Sequence, residues 1–146
     1  MIYFHANHVA VTREDWGYLV VLSVDEDLAS ERYLTLQAKD RYDDQDVRLG
    51  MDNIYIETCG QGWSWYGNIE LFELTRKGVF VQLSREAATR MGNDGKIEAT
   101  YSLDDTAYAY LRETLQKIFD RERTIFAMVL FSRCAGRATA MFGGMR

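Results

Sequence analysis

The side chains best able to do chemistry in the middle of this chain are carboxylates. Five aspartates lie close together: Asp40, Asp43, Asp44, Asp46 and Asp52. A calcium-binding EF-hand loop needs oxygen ligands at regular positions, a glycine at position 6 and a glutamate at position 12. Counting from Asp44, Leu49 falls at position 6 and Tyr55 at position 12. The spacing therefore excludes an EF-hand, and leaves either a solvated charged loop or an acidic patch that faces a partner.

Other catalytic and metal-binding patterns are weak. His5 and His8 are the two histidines, and in an extended strand their odd spacing sends them to opposite faces. Cys59 and Cys134 form no C-x-x-C pair for zinc or redox chemistry. Three glutamates could serve a hydrolase, namely Glu57, Glu70 and Glu73, if two of them converged in a cleft. We predict no catalytic residue, no metal site and no cofactor.

A glycine-framed aromatic segment follows residue 59. Gly60-Gln61-Gly62 begins like a dinucleotide-binding fingerprint, but Trp65 stands where the third glycine belongs and no helix pattern follows. Trp63, Trp65 and Tyr66 are instead residue types that dominate binding hot spots. They could equally fold back over the core, because Trp and Tyr are often mostly buried.

Composition limits the function classes. The chain has 146 residues, 22 acidic and 17 basic, with a net charge of −5. A chain of this length is typical of one domain. Nucleic-acid affinity comes mainly from Lys and Arg, so this acidic chain suits a basic protein partner better than a nucleic acid. The N-terminus does not have the pattern of a signal peptide, and the longest late apolar run is too short to span a bilayer. We therefore predict a cytoplasmic protein with no membrane partner.

Hydrophobic periodicity predicts an α+β fold with a mainly antiparallel sheet. Strands are indicated over 2–11, 18–24, 33–39, 54–58, 69–74, 79–83 and 96–101, with a charged loop over 40–52. Ser84 is expected to cap a short helix over 85–91 that ends at Gly92. A longer amphipathic helix follows Ser102, which begins a capping-box pattern with Asp105, and should pack on the sheet.

The C-terminal part has a different character. It has no acidic residue after Glu122, and residues 125–131 form an apolar run that could be a strand or more helix. We predict one α+β domain over residues 1–123 and an extension of uncertain structure over 124–146.

Three short stretches resemble the Immunity protein 10 family of bacterial polymorphic toxin systems. They are residues 49–57 (LGMDNIYIE), 66–70 (YGNIE) and 72–76 (FELTR). The resemblance covers residues 33–101, extends more loosely to 119, and does not account for the chain after residue 123. It implies a protein that binds and neutralises a cognate toxin, with no active site.

The family resemblance transfers no binding residues, so residue type alone suggests the surface. We expect carboxylates to steer a basic toxin towards aromatic anchors. The candidate residues are Asp43, Asp44, Asp46, Asp52, Trp63, Trp65 and Tyr66. The alternative is a small-ligand or carbohydrate-binding domain that uses the Trp-rich loop, and a hydrolase is the third class. The oligomeric state is open.

Overall fold

The computed structural model describes residues 1–26, 32–58, 64–129 and 140–142, with side chains as far as residue 129. Over these ranges the chain is an α+β protein with two mostly antiparallel sheets. It divides into two compact units. The N-terminal unit is His5–Gly67, and the C-terminal unit combines Met1–Phe4 with Asn68–Arg146.

The described elements follow one another in this order: β1 (Ile2–Ala6), β2 (His8–Arg13), β3 (Gly17–Ser23), β4 (Tyr33–Lys39), α1 (Asp44–Arg48), β5 (Tyr55–Thr58), β6 (Ser64–Tyr66), β7 (Ile69–Thr75), β8 (Gly78–Leu83), α2 (Arg85–Met91), β9 (Lys96–Tyr101), α3 (Asp105–Ile118), a single 3-10 turn (Arg123–Ile125), β10 (Phe126–Val129) and β11 (Ala140–Phe142).

The N-terminal unit is built on a five-stranded antiparallel sheet in the order β2-β3-β4-β5-β6. Side chains alternate between its faces, as the period of two in the sequence predicts. Leu34 and Leu36 of β4 and Ile56 of β5 are buried on one face. Gln37 and Tyr55, which pair across β4 and β5, occupy the other face and are half-buried.

The C-terminal unit contains a six-stranded sheet in the order β1-β9-β8-β7-β10-β11. The β7–β8 hairpin predicted from the sequence forms its centre. Strand β10 pairs in parallel with β7, with Phe126 opposite Phe72, and β11 pairs antiparallel with β10. Of the two possibilities for the apolar run after residue 124, its described part is therefore a strand at Phe126–Val129.

Helix α3 contributes an apolar stripe to the core of the C-terminal unit, as its amphipathic pattern predicts. Leu111, Leu115, Ile118 and Phe119 are all buried. Phe119 stacks on Phe126 at 5.1 Å between ring centroids and lies 4.9 Å from Phe72. These rings join the helix end to two neighbouring strands, which confirms that the helix packs on the sheet.

The structure differs from the sequence-based expectation at several elements. Residues Ser64–Tyr66, expected to belong to a Trp-rich loop, form strand β6. The strand predicted over 2–11 is interrupted at Asn7, because β1 joins β9 in one sheet while β2 pairs with β3 in the other. The predicted loop over 40–52 contains α1. The cap of α3 is Asp104, whose side chain accepts the Ala107 N–H at 2.8 Å, so the prediction of Ser102 as the cap was wrong.

Helix α2 matches its prediction at both ends. Ser84 caps the first turn, and Gly92 ends the helix in the left-handed conformation with φ of 74°. The predicted domain boundary at residue 123 stays a prediction. Phe126 lies on the C-terminal side of that boundary, but its ring packs with those of Phe72 and Phe119, which lie before it.

Candidate functional site

The acidic segment of the N-terminal unit folds into helix α1 through reciprocal capping. The Asp43 side chain accepts the Asp46 N–H at 2.7 Å, and the Asp46 side chain accepts the Asp43 N–H at 3.1 Å. Such a capping box satisfies N–H groups that a helix start leaves without partners. Asp44 and Asp46 also place negative charge in the first turn, where the helix dipole favours it.

Asp46 has a structural role in this arrangement. Only 7% of the residue is exposed, and both carboxylate oxygens lie 3.1 Å from the Lys39 ammonium. The Asp43 N–H lowers the pKa of Asp46 most, and Lys39 lowers it further. The Asp46 carboxylate is thus engaged inside the unit, whereas Asp43 and Asp44 are exposed.

A depression of about 360 Å³ lies within the N-terminal unit, beside the end of β4. Its lining residues are Trp16, Gln37, Ala38, Lys39, Tyr42, Met51, Asn53 and Tyr66. Trp16 is 41% exposed and Tyr66 is 37% exposed, so both rings are accessible at the surface. An accessible hollow lined by aromatic rings, apolar groups and side-chain amides has the composition of a recognition site.

Hydrogen bonds hold the segments that line the depression. The Tyr42 hydroxyl accepts the Lys39 N–H at 3.2 Å and donates to the Asn53 carbonyl at 3.3 Å. The Gly67 N–H, next to Tyr66 in the chain, donates to the Ile54 carbonyl at 2.7 Å. Gly67 has a φ of 82°, and a Cβ there would lie 3.4 Å from the Asn53 Cγ. Only glycine adopts this backbone without strain, so it fits the turn that follows Tyr66.

The structure separates the aromatic residues that the sequence placed together. Trp65 pairs with buried Ile56, whereas Tyr66 pairs with Tyr55 on the other face of the sheet. The Tyr55 and Tyr66 rings lie 5.1 Å apart. Tyr66 thus lines the depression, half-buried Trp65 lies on the buried side, and Trp63 falls outside the described residues.

Asp52 takes up a position between two lining residues, Met51 and Asn53, and is half-buried. Of the predicted residues, Tyr66 lines the depression, and Asp52 lies between two lining residues in the chain. Asp43 lies next to Tyr42 in the chain, and Asp44 begins α1.

Glu57 is held by two tyrosines. The hydroxyl of Tyr33 donates to its Oε2, and the hydroxyl of Tyr55 donates to its Oε1 at 2.6 Å. Burial raises the pKa of Tyr55, and the hydrogen bond to Glu57 raises it further. Both oxygens of Glu57 thus have donors, which keeps the carboxylate in place on the same sheet face as Tyr66.

The other predicted glutamates are in the C-terminal unit, where Glu70 and Glu73 belong to β7. Asp46 and Asp94 have lowered pKa values, opposite to the shift a general acid requires. Among the residues that the structure describes, no group of three or more His, Cys, Asp or Glu side chains could hold a metal ion. Within the same described ranges, no helix is long and apolar enough to cross a membrane.

Charge is unevenly divided between the units. The N-terminal unit has twelve acidic and five basic residues, for a formal net charge of −7. The C-terminal unit has ten acidic and twelve basic residues, for a formal net charge of +2. All of the net negative charge therefore belongs to the unit that contains the depression.

Sequence reasoning missed Trp16, Tyr42 and Met51 as site residues. Trp16 follows two acidic residues in the turn between β2 and β3, so it is a large aromatic residue in an otherwise polar turn. That placement is a signal that could have identified it. Tyr42 and Met51 carry no comparable signal, because they reach the site only through the folding of the segment around α1.

Comparison with known families gives one finding, and comparison with curated proteins and solved structures gives no match. The model of the family described as Immunity protein 10 matches residues 5–109. This range begins well before residue 33, where the resemblance in the sequence begins, and it includes every residue that lines the depression. The match spans more than two thirds of the chain and confirms the predicted family. The chain belongs to the Immunity protein 10 family.

Proposed function

We propose that this protein protects the bacterium that produces it by binding a cognate toxin in the cytoplasm and blocking it stoichiometrically. It acts by matching shape and charge, and it makes and breaks no covalent bond. The observation that carries this proposal is the family match over residues 5–109. The matched range includes every residue that lines the depression of the N-terminal unit.

The proposed contact surface is a set of neighbouring residues that we name the acidic–aromatic face. Its members are Trp16, Tyr42, Asp43, Asp44, Asp52 and Tyr66. Exposed aromatic side chains supply binding energy at interface centres, and surrounding carboxylates steer a basic partner. Val47, in the last turn of α1, and Leu49, which follows the helix, are exposed apolar residues as well.

This surface revises the one proposed from residue types. Asp46 is left out because Lys39 and the capping box occupy its oxygens. Trp65 is left out because it shares a sheet face with buried Ile56. Trp16 and Tyr42 take their place because they line the same depression as Tyr66.

A small-ligand or carbohydrate-binding function is the second candidate. The depression favours it, since its volume of about 360 Å³ reaches the lower end of the range of ligand pockets. Aromatic rings with side-chain amides also suit a sugar. The high negative charge of the unit supports the toxin proposal instead, because a neutral sugar gains nothing from it.

Co-expression with the toxin domain encoded beside this gene tests the proposal. We expect the protein to restore growth and to co-purify with the toxin domain. Asp44→Arg should weaken capture, while Glu113→Arg, the same charge change at an exposed position of α3, should leave it intact. Absence of any complex with the wild-type protein would contradict the proposal. Equal capture by both variants would remove Asp44 from the surface.

A further inference from the structure

The depression of the N-terminal unit has a chemistry that selects one kind of ligand group. Its rim combines two accessible rings, Trp16 and Tyr66, with a third ring, Tyr42. Its remaining lining includes Gln37 and Asn53, whose side-chain oxygens can accept hydrogen bonds. Ring faces carry partial negative charge, as do amide oxygens. A ligand group that is flat, positively charged and rich in donors would satisfy both kinds of surface.

The charge around the depression favours a cation over an anion. Lys39 is the one lining residue with a positive charge, and its ammonium is paired with both oxygens of Asp46. The hydrogen bond to Asp46 raises the pKa of Lys39 most, and Asp43 and Tyr66 raise it further. Two carboxylates thus act on one ammonium, within a unit whose formal net charge is −7. An anion would meet repulsion here.

The composition of the lining favours arginine over lysine. A guanidinium is planar, stacks on aromatic faces and presents five N–H donors, whereas an ammonium is compact and more strongly hydrated. Three rings and two amides within one hollow offer both stacking faces and acceptors. The hollow of about 360 Å³ is also large enough to take a whole side chain rather than only its charged end.

We propose that the depression receives an arginine side chain of the toxin, which stacks against Trp16 and Tyr66 and donates to the amide oxygens of Gln37 and Asn53. This inference rests on the proposed function and adds the partner chemistry that the site recognises. Asp43 and Asp44 attract the basic surface that carries this arginine. The depression then fixes its position.

A small probe tests the inference without the toxin. N-acetyl-arginine amide is titrated into the full-length protein, and the Trp16 indole and the Gln37 and Asn53 side-chain amides are followed by NMR. N-acetyl-citrulline amide is the matched control, because it keeps nearly the same shape without the charge. We expect the arginine probe to shift these signals at millimolar concentration, and the citrulline probe to bind at least fivefold more weakly.

Three variants locate the probe. Tyr66→Ala and Trp16→Ala should each weaken arginine-probe binding by about two- to fivefold, the range expected for loss of one exposed cation–π contact. Tyr110→Ala removes an exposed ring from α3 of the other unit and should leave binding unchanged. Circular dichroism of each variant reports whether the fold is retained.

Failure of this inference can be told apart from failure of the proposed function. Equal binding of the arginine and citrulline probes, or binding of methyl glucoside at the same signals in preference to arginine, would overturn the inference. Toxin capture that is unchanged in Tyr66→Ala and Trp16→Ala would also overturn the inference. The proposed function would then still stand. If the wild-type protein captures no toxin, the proposed function fails whatever the probes show.

Discussion

Asp46 illustrates how a residue can lie in a functional segment and still serve the fold. Its carboxylate caps α1 and pairs with Lys39, so it links the acidic helix to the end of β4. Asp43, three residues earlier, caps the same helix while its side chain stays exposed. The two aspartates look alike in the sequence. Burial and the position of Lys39 give them different roles.

The stability that Asp46 contributes should depend on pH. Its pKa is lower in the folded protein than the ordinary value of about 3.9, so its contribution is complete above pH 5. This contribution disappears as the pH falls through the folded-state pKa, because the carboxylate is then protonated in both states. Asp46→Asn should therefore destabilise the protein at pH 7 and make a smaller difference at pH 3.

Urea unfolding of the wild type and Asp46→Asn at pH 7 and pH 3 measures this effect. Asp44→Asn is the control, since Asp44 is exposed in the same helix turn. A difference between wild type and Asp46→Asn that stays constant with pH would contradict the account of Asp46.

Glu57 should matter for stability rather than for chemistry. Replacing it with Gln leaves one oxygen to accept from two tyrosine hydroxyls, Tyr33 and Tyr55. We expect Glu57→Gln to lower the free energy of unfolding by about 1.5–3 kcal/mol, the cost of losing a hydrogen bond to a charged group. Thermal unfolding checks the loss. Protection from toxin should persist at temperatures where the variant is folded, and a stable variant without protection would contradict this role.

At the scale of elements, strand β10 tests how far the folded unit extends. Phe126 of β10 is fully buried and stacks on Phe119, although both residues lie beyond the family match. Phe126→Ala should cost about 3–5 kcal/mol, as expected for removing a large buried aromatic ring. Chemical denaturation measures the change. A loss below 1 kcal/mol would instead support the predicted domain that ends at residue 123.

Elements whose ends or alternation are marked by their own residues could be predicted from the sequence. Helix α2 has a serine before it and a glycine after it, and β4 alternates strictly between apolar and polar residues. Helix α1 was missed because its capping residues are both aspartates, Asp43 and Asp46, which also suit a charged loop. The division of residues 2–13 into β1 and β2 was missed because β1 joins β9, which lies far away in the chain, whereas β2 pairs with the adjacent β3.

The candidate site was only partly predictable, because residues far apart in the chain form it. Its lining residues come from the β2–β3 turn, the end of β4, the segment around α1 and the last residue of β6. No local pattern joins these four stretches, and the pairing of β3, β4, β5 and β6 brings them together. Residue type identified Tyr66. The pairing of β5 with β6 places Tyr66 and Trp65 on opposite faces of the sheet, so Tyr66 lines the site and Trp65 does not. This register cannot be read from the sequence.

At the scale of the whole molecule, the uneven charge should affect how fast the toxin binds. Opposite charges speed association, and salt screens them over about 10 Å at 0.1 M ionic strength. We expect association with a basic toxin domain to slow by roughly tenfold between 50 and 500 mM NaCl, with a smaller change in dissociation. Surface plasmon resonance measures both rates. Asp44→Arg should reduce the salt dependence, and a rate insensitive to salt would argue against electrostatic steering.

On the proposed function, this protein protects by binding the toxin and not by turnover. The most direct measurement mixes a fixed amount of active toxin domain with increasing amounts of this protein and follows residual toxin activity over time. Binding predicts that inhibition becomes complete at a fixed molar ratio and does not grow on longer incubation. Complete inactivation by a small fraction of that amount, progressing with time, would contradict the account.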